Sequence, residues 1–147
     1  MADTGMITLI EQAKKFFSAL ESAPAAGAPL VRYPVELMIT TPQERFAIQF
    51  RDGRPGAVSE ATADAAIGYW TLELRGDQQV FEGIFAGALT MGEAMYAGML
   101  VAPEEKSKHN LTCAVGQAIR LAQDVHRRAK DPRNPGVSAR SRPAPKG

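Results

Sequence analysis

The apolar positions of the first segment recur at helical spacing. Between residues 6 and 21 they follow the i, i+3, i+4, i+7 rule, while polar side chains take the opposite face. Asp3 or Thr4 can cap the start, and Pro24 prevents continuation. We therefore expect an amphipathic helix over 6–21, followed by a connector over 22–34 that contains three prolines and a glycine.

The pattern then changes to a period of two, which is typical of strands. Residues 35–40 and 45–51 both alternate and are rich in β-forming residues. Asp52-Gly53 is a hairpin signal, and Arg54-Pro55-Gly56 just after it predicts a short or irregular third strand near 57–60. Alternation over 67–74 predicts a fourth strand.

Helical spacing returns after the fourth strand. An apolar stripe predicts a helix over 78–86, and Thr90 with Glu93 forms a capping-box pattern for a second short helix. Residues 99–101 are a candidate fifth strand. Pro103 and the two glutamates after it are typical of a helix start, and apolar residues keep helical spacing from there as far as Val125.

This element order predicts an α+β fold rather than alternating βαβ units. We expect an N-terminal helix and an antiparallel-dominated sheet of four to five strands. The C-terminal helices should cover one face of the sheet, with a hydrophobic cavity between the two layers. Residues 1–130 are predicted to form this single domain. Residues 131–147 are rich in Pro, Gly, Ser and Arg without any period, and we expect a disordered basic tail.

Length and composition exclude several classes of protein. The chain has 147 residues, enough for one domain with a core, and its one cysteine allows no internal disulfide. No secretory signal and no apolar run of about 18 residues is visible, so we expect a cytoplasmic protein without a transmembrane segment.

The net charge of +1 is unevenly distributed. Residues 1–100 carry 7 basic and 12 acidic side chains, whereas residues 126–147 carry 7 basic and 1 acidic. The positive charge therefore belongs to the tail. Because no aromatic residues are interleaved with it, we do not expect a nucleic-acid partner.

The segment from Ala63 to Leu100 places few polar groups where a catalytic side chain would need support. Its methionines and aromatic residues suit an adaptable apolar cavity, although an ordinary core would show the same stripe. Glycines 83, 87, 92 and 98 remove side-chain volume, so either the helices pack closely or space remains. The candidate cavity-lining residues are Phe81, Ile84, Phe85, Leu89, Met91, Met95, Met99 and Leu100.

The same segment resembles the sterol carrier protein type 2 family. The resemblance lies in Ala63–Ile67 entering a strand, Gly76-Asp77 leading into a helix, Gly87–Thr90, Ala94-Met95 and Gly98–Leu100. It implies an α/β sandwich with a hydrophobic tunnel for a fatty acyl chain, a sterol or a coenzyme A ester. The family has no shared catalytic residues, and its members often serve as lipid-binding or transfer modules.

Other candidate chemistry is weaker. His109 and Cys113 lie four residues apart and share a helix face, as a nucleophile and its base do, but no Asp or Asn stands at a spacing that would orient the histidine. His109 and His126 are too far apart along one helix to share a metal. No phosphate-binding glycine loop is present, so we expect no cofactor and no metal.

The sequence therefore favours non-catalytic binding, with transfer left open, of a lipid or other hydrophobic small molecule. Arg75, Glu93 and Tyr96 are candidates for holding a polar head group at the mouth of the cavity. Two alternatives stay open: an interaction or oligomerisation module, homo-dimeric for example, that has kept the fold without ligand, or an enzyme acting on a hydrophobic substrate with His109 or Glu93 as general base.

Overall fold

The computed structural model describes residues 8–22, 34–62 and 64–130. They form four α-helices, one 3₁₀ turn and a five-stranded sheet. In chain order the elements are α1 (Leu9–Phe17), the 3₁₀ turn (Ser18–Glu21), β1 (Val35–Thr40), β2 (Arg45–Arg51), β3 (Arg54–Glu60), β4 (Thr71–Gly76), α2 (Gln78–Phe85), α3 (Met91–Tyr96), β5 (Leu100–Val101) and α4 (His109–Lys130).

The sheet has the strand order β3-β2-β1-β4-β5. Strands β1, β2 and β3 form an antiparallel meander, with Val35 opposite Phe50 in the first pair. The chain then crosses from the β3 edge to the far side of β1, where β4 pairs parallel to it and Glu36 faces Thr71. The short strand β5 pairs antiparallel to β4 and forms the other edge of the sheet. The predicted α+β class with an antiparallel-dominated sheet is confirmed.

One face of the sheet carries the hydrophobic core. Alternate residues of the central strands point to this face because side chains alternate along a strand. Leu37, Ile48 and Leu72 are completely buried there, and they join one cluster with apolar residues of α1, α2, α3 and α4. The helices therefore cover this face.

The opposite face is covered by the connection between β3 and β4. Met38 and Ala47 are buried, yet they lie outside the main core cluster. The Arg45 guanidinium, from the same face of β2, donates to the backbone carbonyls of Thr62 and Ala65. These hydrogen bonds tie the connection to β2.

Two strands agree with the sequence prediction, two differ, and the candidate fifth strand over 99–101 is present as β5 (Leu100–Val101). The bounds of β1 and β2 are those expected. Strand β3 begins earlier, at Arg54, because Pro55 is tolerated in an edge strand where its missing N–H breaks no shared ladder. Strand β4 begins at Thr71 rather than Ile67, since a turn closed by the Thr71 N–H to the Gly68 carbonyl (3.2 Å) precedes it.

The helix ends also differ from the pattern. The first helix is predicted over 6–21, but regular α-helix ends at Phe17 and tightens into the 3₁₀ turn. The last helix begins at His109 rather than Pro103, because residues 103–108 form successive turns. In these turns the N–H of Glu105 donates to the Ala102 carbonyl and that of Ser107 to the Glu104 carbonyl.

The first helix begins at Leu9 rather than at residue 6, because Thr8 is extended and caps it, with its hydroxyl accepting from the Glu11 N–H at 3.2 Å. The predicted capping residues Asp3 and Thr4, most of the 22–34 connector and the basic tail from residue 131 lie outside the described residues. Across the part of the chain that is described, no helix combines the length and apolarity needed to cross a bilayer.

Candidate ligand-binding region

The segment between β4 and β5 folds into the two short helices expected from its pattern. Helix α2 directs Phe81 and Ile84 into the core, while Val80 and Phe85 are half-buried against it. The apolar stripe of α2 thus includes both fully buried and half-buried side chains. We call the α2–α3 segment, residues 78–98, the cover.

Helix α3 begins at the predicted capping box. The Thr90 hydroxyl accepts from the Glu93 N–H at 3.0 Å, and the Glu93 carboxylate accepts from the Thr90 N–H at 2.9 Å. These bonds satisfy two backbone donors that a helix start leaves unpaired. The reciprocal cap fixes the rotation of this one-and-a-half-turn helix, so that Met91 and Ala94 face the core.

The candidate cavity-lining residues fall into three groups by burial. Seven of them belong to the core or pack against it. Fully buried are Phe81, Ile84, Met91 and Leu100, and half-buried are Phe85, Leu89 and Met95. Met99 is 44% exposed and lies on the outside of the cover.

An aromatic cluster beneath the cover includes residues that sequence reasoning missed. The ring of Phe85 lies 5.0 Å from that of Phe16 and 6.0 Å from that of Phe17, both on α1. Phe81 lies 6.4 Å from Phe85, and Phe50 of β2 lies 5.3 Å from Phe17. The apolar stripe of α1 signals that these rings are buried, but no local pattern shows which helix they meet.

The cover glycines do different work from one another. A Cβ on Gly83 would meet the Leu89 side chain at 3.6 Å, an ordinary van der Waals contact, so packing does not require glycine at this position. Gly87 and Gly98 have φ of +82° and +77° and end their helices in the left-handed region. Gly92 is exposed, with open space around its Cα. Two of the four cover glycines therefore serve chain reversal, and the glycine spacing is not by itself an argument for an internal void.

A single glutamine joins the cover to the last helix. The Gln123 side-chain NH₂ donates to the carbonyls of Ile84 (2.9 Å) and Leu89 (3.0 Å). Both carbonyls flank the loop between α2 and α3, and the glutamine is half-buried. The cover is thus held by apolar packing and by one polar clamp from α4.

A groove of about 790 Å³ runs along the outer edge of the cover. Its apolar wall includes Val80, which also packs against the core, and the exposed residues Met99 and Val101. Among the three head-group candidates, Arg75 lines this groove, Glu93 is engaged in the capping box, and Tyr96 is 95% exposed. An apolar path and a cation therefore lie side by side at this edge.

The orientation of Arg75 is set by a buried carboxylate. Glu73, whose side chain is 4% exposed, accepts from Arg75 Nε at 3.0 Å and from the Thr40 hydroxyl at 2.7 Å, and Arg45 Nη2 lies 3.5 Å away. Burial acts to raise the pKa of Glu73, but these hydrogen bonds and the two positive charges outweigh it and hold the pKa below its ordinary value. Glu73 therefore stays ionised at neutral pH and fixes the guanidinium at the groove.

The two histidines have different environments. His126 Nε2 lies 2.9 Å from the Phe16 carbonyl and its ring stacks on that of Phe16, so it joins α4 to α1. His109 lies between Glu105, whose carboxylate is 3.0 Å from Nδ1, and Cys113, whose sulfur is 3.5 Å from Nε2. Sequence reasoning considered only Asp and Asn as orienting groups and missed Glu105. Within residues 8–22, 34–62 and 64–130, no group of three side chains is arranged to hold a metal.

No protein-family model matches the sequence, and no curated protein matches it significantly. Solved structures do share its fold. A conserved hypothetical protein of Thermus thermophilus, described as possibly a sterol carrier protein, has 14% identity and a TM-score of 0.57, over 90% of this chain and 96% of the other. Palmitated SCP2L2 from Aedes aegypti has 13% identity and a TM-score of 0.52, over 77% of this chain and 95% of the other.

These likenesses confirm the resemblance at the level of the fold: the chain has the fold of sterol carrier protein 2-like structures.

Proposed function

We propose that this protein binds a hydrophobic small molecule, with a long acyl chain as the simplest case, between the sheet and the cover. The observation that carries the proposal is the graded burial of one apolar surface. It passes from buried Phe81 and Ile84, through half-buried Phe85, Leu89 and Met95, to exposed Met99. The fold likeness to a structure described as palmitated supports the choice of an acyl chain.

Binding between the sheet and the cover requires the cover to move, because its half-buried side chains pack against the core. Each methylene of a buried chain contributes about 0.8 kcal/mol, so a long chain can offset the loss of the packing it displaces. Leucine and methionine suit this exchange because they repack at small cost. The Gln123 clamp limits where the cover can open, since it holds the loop between α2 and α3 to α4.

The carboxylate of a fatty acid would be bound by Arg75. Its side chain is 58% exposed, lines the groove and is oriented from behind by Glu73. A charge-assisted hydrogen bond at such an exposed position gives orientation more than affinity. The apolar contacts would therefore set the binding strength, and Arg75 the direction in which the ligand enters.

Displacement of a fluorescent fatty acid by palmitate tests the proposal on the full chain. Leu89→Trp should weaken binding about 10-fold or more, because the bulky ring occupies the region that the chain would enter when the cover moves. Tyr96→Trp is the matched control: the same residue is introduced on α3 at a side chain that is 95% exposed, and affinity should not change. Failure of the unaltered protein to bind at micromolar fatty acid contradicts the proposal.

The oligomerisation alternative has one observation in its favour. Tyr96, Met99 and Val101 are large side chains that remain exposed in or beside β5, one of the two edge strands of the sheet. Exposed apolar residues beside a sheet edge are typical of contact surfaces. Light scattering after size exclusion distinguishes the two functions, since a stable oligomer without fatty-acid capacity fits only the alternative.

A further inference from the structure

The start of α4 aligns three reactive side chains that the proposed ligand site does not use. The Cys113 sulfur lies 3.5 Å from His109 Nε2, and His109 Nδ1 lies 3.0 Å from the Glu105 carboxylate. Cys113 is exposed and is the only cysteine of the chain. When Nδ1–H donates to Glu105, Nε2 is left unprotonated and faces the thiol. That tautomer can accept the proton of the thiol.

The backbone explains why the three side chains meet. His109 and Cys113 are four residues apart on α4, so they lie one above the other on the helix surface. Glu105 belongs to the turns before the helix, where the Lys108 N–H reaches back to the Glu104 carbonyl at 2.9 Å. These turns continue the helical rise, so Glu105 is placed one turn before His109.

A small groove adjoins this row. It measures about 490 Å³, and its lining includes His109, Tyr69, Trp70 and Lys106, whereas Cys113 lies one helical turn beyond His109, outside the lining. Lys108 also borders it, but its ammonium group pairs with Glu104 and donates to the Gly68 and Thr71 carbonyls. Aromatic walls and an exposed cation match a small ligand that carries both an apolar part and a negative charge.

We propose that Cys113, His109 and Glu105 form a thiol-modification site that reacts with small anionic disulfides held in this groove. His109 Nε2 takes the proton of the Cys113 thiol, and the thiolate attacks one sulfur of the disulfide. The new S–S bond joins Cys113 to that half of the reagent, while the old S–S bond breaks and its electron pair leaves with the other half. The imidazolium then protonates the departing thiolate. Cys113 is oxidised, and the released sulfur is reduced.

Disulfide exchange fits this geometry better than acyl transfer. A tetrahedral acyl intermediate needs donors for its oxyanion, and a nucleophile at a helix start can use free backbone N–H groups. Cys113 is the fifth residue of α4, so its N–H is engaged within the helix. The leaving thiolate of a disulfide carries the negative charge away and needs no such donors. Glu105 is a positioning residue, because it acts through His109.

The reaction can be followed with dithiobis(2-nitrobenzoate), an anionic aromatic disulfide whose leaving group absorbs visible light. Because the chain has one cysteine, the colour released and the intact mass report Cys113 alone. An ordinary thiol is about 3% ionised at pH 7, which caps the gain from a base near 30-fold. We expect His109→Asn to lower the second-order rate constant about 10-fold at pH 7 and Glu105→Gln about 3-fold.

The pH profile separates proton transfer from a structural effect. The rates of the unaltered protein and His109→Asn should converge at alkaline pH, where hydroxide replaces the imidazole as the proton acceptor. Glu60→Gln is the control, since it removes the same charge at an exposed position of β3 that does not line this groove, and it should leave the rate unchanged. Circular dichroism confirms that each variant folds. Equal rates at pH 7 for the unaltered protein and His109→Asn overturn the proposal, as does a rate difference that persists unchanged to pH 10.

Recognition of anionic disulfides by the groove is tested separately. Lys106→Gln should slow the dianionic reagent about 3-fold or more and leave the rate with neutral 2-hydroxyethyl disulfide unchanged. Equal slowing with both reagents, or with neither, contradicts recognition of anionic disulfides by this groove. None of these outcomes depends on whether the cover binds an acyl chain.

Discussion

At the scale of single residues, the buried Glu73 and the half-buried Gln123 position the groups around them. Glu73 accepts from three donors on the face of the sheet opposite the main core. The Gln123 side-chain NH₂ donates to two carbonyls of the cover. Buried polar groups must be hydrogen-bonded, so each fixes the geometry of its neighbours. These two residues therefore determine where Arg75 points and how the cover is attached.

Glu73→Gln should make stability less dependent on acidity. Because the pKa of Glu73 is lowered in the folded protein, its contribution is present above the ordinary value of 4.5 and is lost as the pH falls through the folded-state pKa. We expect the variant to lose about 1 kcal/mol at pH 7, with the exposed Arg75 contributing little. Urea unfolding from pH 7 to 3 measures both. Glu60→Gln, an exposed strand carboxylate, is the control, and a difference from the unaltered protein that grows on acidification contradicts this account.

Gln123→Ala should loosen the cover. It leaves the Ile84 and Leu89 carbonyls without that donor, which costs about 1–2 kcal/mol in the free energy of unfolding. Gln117→Ala on the exposed face of α4 removes the same group without that contact and serves as the control. Amide exchange measured by mass spectrometry should accelerate in residues 78–98 of the first variant only. Uniform acceleration over the whole chain would instead show a global loss of stability.

At the scale of elements, helix ends are fixed by features that are partly local and partly distant. The Thr90 and Glu93 cap and the glycines at 87 and 98 act within a few residues, and the sequence predicts them. The start of α1 has in addition a distant partner. The Glu44 carboxylate, from the turn between β1 and β2, accepts from the Leu9 N–H at 3.0 Å and the Ile10 N–H at 3.3 Å.

Two glycine substitutions on the cover should have opposite effects. Gly87→Ala places a Cβ in the left-handed region and should cost about 1 kcal/mol. Gly92→Ala lies within α3 with open space around it and should gain up to about 1 kcal/mol from better helix propensity. Thermal and urea unfolding of the two variants measure these changes in the free energy of unfolding. If Gly92→Ala proves as harmful as Gly87→Ala, then Gly92 has a contact that this structure does not show.

Glu44→Ala should release the start of α1. The carboxylate satisfies two backbone donors and lies at the positive end of the helix dipole, so its loss should cost about 1–2 kcal/mol. Faster amide exchange in residues 8–22 is the diagnostic result. Gln43→Ala, at the exposed neighbouring turn position, should leave that exchange unchanged.

The bounds of an element could be predicted where its ends are local. Strands β1 and β2 end at turn residues that the sequence displays, and both are predicted correctly. Strand β4 and helix α4 start later than predicted because Gly68 and residues 103–108 form turns, which the apolar period does not register. The aromatic cluster could not be predicted, because Phe16 and Phe85 lie far apart in the chain and meet only through the fold.

At the scale of the whole molecule, the fold is shared with sterol carrier protein 2-like structures at 13–14% identity. Such low identity preserves the order and packing of elements more than individual side chains. The fold class was therefore predictable from periodicity, whereas the identity of a ligand depends on side chains that the likeness does not fix. The function therefore has to be tested on the protein's own graded apolar surface.

Ligand binding should raise the free energy of unfolding of the whole protein. A ligand that binds only the folded state raises the free energy of unfolding by about 2.7 kcal/mol at a concentration 100 times its Kd. We expect palmitate to produce this gain in the unaltered protein and in Tyr96→Trp, because the side chain at position 96 is almost fully exposed. Leu89→Trp should lose most of the gain at the same palmitate concentration. If all three proteins gain equally, palmitate binds somewhere other than under the cover; if none gains, the apolar surface serves packing or self-association alone.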